Sequence, residues 1–239
     1  MLKSKQLSDM TTRSFVTPDD LALAQQVLTW AKEYLMKEND EVHRPYPPQT
    51  VCPFVESSIN SNCFYMVFHN EFNGQDVSAI IEQILEYIHP FKMAPPFAEN
   101  LRARKALLVV FPKIESVRLK ALDVCHRIIK PKMVEEGLMV GQFHPDCDER
   151  AIHNRHWRMV SQSPVPLVAM RHMSVHDIMF LESHEQWFKI YDVKFGHRFR
   201  DRGKSLSRCE KHLIKFYERA RARYLITDDG RPALADSSH

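Results

Sequence analysis

Apolar and polar positions alternate along the chain in two distinct rhythms. In "TPDDLALAQQVLTWAKEYLMKEND", apolar residues recur at helical spacing through Leu35, after Thr17 as N-cap, Pro18 in the first turn and two acids. This stretch predicts a first helix. The following "EVHRPYPPQTVCPFVESSINSN" carries four prolines among Ser and Asn residues, which excludes a long regular element and predicts a wrapped loop. "DVSAIIEQILEYIHP" returns to helical spacing, as does "SVRLKALDVCHRIIKPKMVEEG", where Pro131 is expected to kink or interrupt the helix before Gly137 ends it.

Short apolar runs bounded by charge, proline or glycine predict strands over Cys63–His69, Leu107–Phe111, Leu138–Phe143 and Leu167–Met170. From Ser174 onward the pattern is helical. Its last segment, "SLSRCEKHLIKFYERARARYL", places Leu206, Cys209, Leu213, Phe216, Ala220 and Tyr224 on one stripe. The order predicts an α+β fold: a mixed sheet of about four strands packed by helices, with a helical C-terminal extension. The expected organisation is a tail over 1–16, one domain over 17–225 and a polar tail over 226–239.

Composition and charge narrow the function classes. The 239 residues are 44% hydrophobic, enough to bury one sizeable core. The net charge of +3 is too mild to mark the whole chain as a nucleic-acid binder. The basic character is concentrated between Arg198 and Arg223, where ten Lys/Arg face three Asp/Glu. A solvated helical face accounts for it, and nucleic acid is not an expected partner. The five cysteines form no CxxC pair, no stretch reads as a signal peptide, and no apolar run approaches the length of a membrane span. A reducing, cytoplasmic setting without a membrane partner is expected. Gly74 and Gly141 stand alone, so no phosphate-cradling glycine loop is present.

The candidate chemistry concentrates in "LMVGQFHPDCDERAIHNRHW" (138–157). His144, Cys147, His153 and His156 have the spacing H-x2-C-x5-H-x2-H, a soft and imidazole ligand set that suits zinc, although the link between the pairs is short. A polar loop with locally bonded histidines is the plainer alternative. His144 stands at the end of an apolar strand before a proline, a rigid support for an axial haem ligand. Cys52, before Pro53, offers a thiol or a small buried apolar group. Arg158 and Arg171 flank the fourth strand and suit carboxylates, whether a substrate's or a haem propionate's.

The ordered segments "VCPF", "LLVVFP", "GQFHPD" and "SPVP" resemble uncharacterised bacterial domain families that carry Cys-Pro-Phe, Phe-His-Pro and Ser-Pro-x-Pro in this order. The same layout is similar to the YqcI/YcgG family, some members of which are haem-dependent oxygenases acting on a guanidine nitrogen. That resemblance implies haem, with His144 on iron, Cys52 beside it, and Arg158 or Arg171 holding a propionate or substrate carboxylate. It also implies a nitrogen-containing small-molecule substrate, such as an amino acid, and an electron donor. Here the Pro-Cys order of that family is reversed in Cys52-Pro53, and its Arg-x-Ser-Arg segment is reduced to Ser161-Gln162-Ser163-Pro164. Zinc on the His144–His156 cluster is the alternative, and a non-catalytic protein using its basic helix the third reading.

Overall fold

The computed structural model describes residues 17–39, 41–42, 49–200, 206 and 210–224. The segments expected as tails, 1–16 and 226–239, and Cys209 lie outside the described residues. Contacts divide the chain into two compact units, Met1–His172 and Met173–His239.

The first unit opens with α1 (Pro18–Trp30), started by a capping box in which Thr17 and Asp20 satisfy each other's backbone N–H. It passes directly into a π-helical turn, Ala31–Leu35. A two-residue ladder, β1 (Glu38–Asn39) with β2 (Gln49–Thr50), comes next, and a short helix, α2 (Val55–Asn60), follows. Next come β3 (Phe64–Phe68), α3 (Val77–Glu86), α4 (Ile88–Met93), α5 (Glu99–Arg102), β4 (Ala106–Val110), α6 (Lys120–Glu135), β5 (Leu138–Phe143) and β6 (Leu167–His172).

The main sheet has the order β3-β4-β6-β5, with β3 parallel to β4 and the other two pairings antiparallel. The α+β expectation therefore holds, with all four predicted strands in place to within two residues at either end. Pro112 and Pro145 lie just past the strand ends, where no ladder hydrogen bond is needed.

Side-chain alternation divides the sheet into two cores. Leu107, Val109, Leu138, Val140, Val168 and Met170 meet α3, α4 and α6 through Ile84, Phe91, Leu122, Cys125 and Ile129. Residues of opposite parity, Phe64, Leu108, Val110 and Leu167, meet α1, the π-turn and α2 through Val27, Ala31, Leu35 and Val55. The expected interruption at Pro131 does not occur, since α6 runs through it. Pro131 and Arg127 are both exposed, so water can take the Arg127 carbonyl that a proline cannot reach.

The second unit contains α7 (Ile178–Leu181), α8 (Glu185–Phe195), α9 (His197–Arg200) and α10 (Ile214–Tyr224). Phe188, Tyr191, Phe199 and Tyr217 form its aromatic interior, and Tyr217 and Arg200 both donate to the Asp192 carboxylate. On the last predicted stripe, Leu206, Leu213, Phe216 and Ala220 are buried.

Candidate functional site

Two features surround the end of the edge strand β5. The first is a buried ligand cluster. A carboxylate oxygen of Asp123, a ring nitrogen of His144 and the sulfur of Cys147 all lie within 4.8 Å of one another. His144 follows β5 with the parity of Val140 and Gln142, so its ring turns toward α6, where Asp123 waits. Nε2 lies 3.1 Å from Asp123 Oδ1, and Gln142 Nε2 donates to the same oxygen at 3.3 Å. The other carboxylate oxygen is held by Lys120 at 3.2 Å, which also pairs with Asp148 at 3.1 Å.

Cys147 is brought in by a tight turn in which its N–H donates to the His144 carbonyl at 3.1 Å. His144 and Cys147 are both 0% exposed, so no solvent competes for their polar atoms. On the far edge of the ring, Nδ1 is bonded to no group among the described residues. A buried nitrogen without a partner is costly. Burial works to raise the Asp123 carboxyl, but hydrogen bonds from His144 and Lys120 outweigh it and hold the group below the usual range. Burial pushes the Cys147 thiol up to about 11, with Asp123, Glu149 and Asp148 adding to the effect. Burial of that kind disfavours the free thiolate. The donor set of the cluster suits a metal ion, with imidazole nitrogen, sulfur and carboxylate oxygen side by side.

The second feature is an open groove of about 580 Å³ on the α1 side. One wall is a helical face, Gln26, Thr29, Trp30 and Glu33, extended by Tyr34 from the π-turn. Opposite stand Pro145, Arg158, Met159 and the segment Gln162–Pro164. The walls are tied together by two aromatic donors. The Trp30 indole N–H donates to the Gln162 carbonyl at 3.0 Å, and the Tyr34 hydroxyl lies 3.2 Å from the Val160 carbonyl and 3.3 Å from that of Met159. Arg158 packs its guanidinium 4.5 Å from the Tyr34 ring centre and 5.1 Å from that of Trp157. Burial pushes the Tyr34 phenol up against the pull of Arg158, so it stays a neutral donor. Among the described residues, neither Arg158 nor Glu33 has an ion-pair partner.

The expected site residues are thus not assembled as one haem pocket. Cys52 packs against the α1-side core, and its N–H donates to Leu35. Arg171 emerges on that same side, its guanidinium 3.8 Å from the Phe54 ring centre. His144 belongs to the opposite side, because β5 parity sends it to α6. The expectation that Cys52 and His144 share a cavity is corrected accordingly. Arg158 lines the groove, where Pro145 rather than His144 forms the wall. For the zinc alternative, His144 and Cys147 come together, while His153 and His156 are not in the cluster. His156 is exposed, and its N–H donates to Asn154. Asp123 takes their place. It stands 21 positions before His144 on a different element, so no local spacing announces it.

These features define an α+β domain with a His/Cys/Asp cluster whose donor atoms could hold a metal ion, and a separate polar groove, at one sheet edge. The chain belongs to the family described as Domain of unknown function (DUF6875), which matches residues 24–206. No curated protein and no solved structure matches it. Among the described residues, no helix is long and apolar enough to cross a membrane.

Proposed function

We propose that the protein binds a transition-metal ion of the zinc class through Asp123, His144 and Cys147. The observation that carries this reading is the convergence of a carboxylate oxygen, a ring nitrogen of a wholly buried histidine and a buried sulfur within 4.8 Å of one another. A cation would replace the proton shared by Nε2 and Asp123 Oδ1, take both atoms as ligands and convert the thiol to a bound thiolate. Three protein ligands leave a fourth position for water or a small ligand. Asp123 is the partly exposed member, its side chain 19% accessible, so exchange with solvent would occur past it. The ion would also pin the 144–147 turn to α6.

The likeness to the YqcI/YcgG family favours haem instead. That reading needs His144, Cys52 and the arginines around one macrocycle, whereas they are distributed over both faces of the sheet, which makes the small ion the better account.

Elemental analysis of the purified protein, followed by cobalt titration of the chelated form, tests the proposal. A stoichiometric ion and a thiolate-to-cobalt charge-transfer band are expected. Cys147→Ser should lose both the band and the ion, and His144→Ala the ion, while the double variant His153→Ala, His156→Ala should keep both. Metal-free protein that takes up no ion, or uptake indifferent to His144 and Cys147, would overturn it. A Soret band on hemin titration would put the haem reading first.

A further inference from the structure

We infer that the groove between α1 and the 158–164 segment is a binding site for a small zwitterion of the α-amino-acid class, independent of the metal cluster.

The argument begins with charge. Arg158 and Glu33 face one groove, yet among the described residues neither is neutralised by an ion pair. Opposite charges left uncompensated on facing walls of a surface groove match a ligand carrying one carboxylate and one ammonium. A plain carboxylic acid would satisfy Arg158 and meet repulsion from Glu33. A plain amine would do the reverse. A single guanidinium is also too little for a polyphosphate, which gathers several cations or a glycine-rich loop.

Preorganisation points the same way. The Tyr34 and Trp157 rings pack against Arg158 and hold its guanidinium at the groove, where its fork suits a carboxylate. Glu33 is set by the π-helical turn, a local widening that recurs at functional sites because it re-aims side chains against the i, i+4 rhythm. Trp30 is anchored at both ends, by its indole bond to Gln162 and by edge contact with Phe143 at 5.6 Å. It offers a fixed apolar surface to the ligand's side chain. Gln26 and Thr29 supply amide and hydroxyl groups at the rim. A rigid mixed wall with two opposed charges is the usual make-up of a site for a small polar metabolite.

The test is calorimetric titration of the full-length protein with each proteinogenic α-amino acid, in zinc-loaded and in chelated form. At least one should bind saturably in both forms, since none of the three proposed metal ligands lines the groove. This separates failure of the metal reading from failure of this one. For the strongest binder, the corresponding decarboxylated amine and deaminated acid should each bind about tenfold or more weakly. Arg158→Gln and Glu33→Gln should each cost the zwitterion about ten- to a hundredfold, the arginine variant leaving the amine unaffected and the glutamate variant leaving the acid unaffected. Glu38→Gln, on an exposed residue outside the lining, should change nothing. Saturable binding of no amino acid, analogues as tight as the parent, or indifference to both groove variants would each overturn the proposal. Tight binding of the acid alone would overturn it in favour of an anion site.

Discussion

Lys105 shows how much one residue can carry without touching either site. Its side chain is 1% exposed and lies immediately before β4. Nζ donates to the carbonyls of Phe91 at 2.9 Å, Ala94 at 2.7 Å and Lys92 at 3.4 Å, capping the C-terminal end of α4. An ammonium at a helix C-terminus is favourable, and it satisfies carbonyls that the helix cannot. Burial pushes the amine down to about 8, and Arg102 adds to that shift. It therefore remains mainly charged at neutral pH. Lys105→Met is expected to cost about 2–4 kcal/mol, because it strands buried carbonyls. The pH dependence has a definite sign. Between about 8 and the ordinary lysine value of 10.5, the unfolded chain holds the proton that the native amine has released. Stability of the wild type therefore rises with pH through that window, by on the order of 2–3 kcal/mol, and the methionine variant lacks this rise. Denaturant midpoints of both proteins at about pH 7.5 and about pH 10 should show the gap between them widening. A gap that narrows would contradict the assignment.

Among the elements, the four strands were the most legible part of the chain. Each is a short apolar run cut off by proline, glycine or charge, and burial on two faces removes the need for alternation. Parity was harder to read. That His144 belongs with Val140 and Gln142 follows from the strand, but the face of the sheet on which Cys52 settles is set by its packing against the π-turn, which no local spacing encodes. The zinc reading named two of the three members of the cluster for the same reason: His144 and Cys147 share a turn, while Asp123 meets them only after α6 packs on β5. The π-turn left no trace in the apolar pattern, which reads as one helix through Leu35. Pro131 misled in the opposite direction. Proline in a helix interior costs about 3 kcal/mol relative to alanine, and exposure of the Arg127 carbonyl removes only part of that cost. Pro131→Ala is expected to stabilise the protein by about 1–2 kcal/mol, the remainder being offset by a freer unfolded chain. Thermal denaturation measures this, and a destabilised variant would mean that the proline's shape is required there.

At the scale of the whole molecule, the three candidate ligands and all lining residues of the groove fall in the unit that ends at His172. An ion at Asp123, His144 and Cys147 would join α6 to the turn leaving β5, two elements otherwise held together by side-chain packing and the Asp123 hydrogen bonds. Because the ligands come together only in the folded chain, its binding energy adds to folding energy, less whatever the unfolded Cys and His residues retain. At free metal a hundredfold above the dissociation constant, the gain is about 2.7 kcal/mol. For a chain of this length, each kcal/mol moves the unfolding midpoint by about 2–4 °C. Chelation should therefore lower the midpoint by roughly 5–10 °C in the wild type. In Cys147→Ser it should do almost nothing, since the variant has already lost the ion. Differential scanning calorimetry with and without chelator reads both numbers, and a wild-type midpoint indifferent to chelator and to added zinc would show that no ion contributes to the fold.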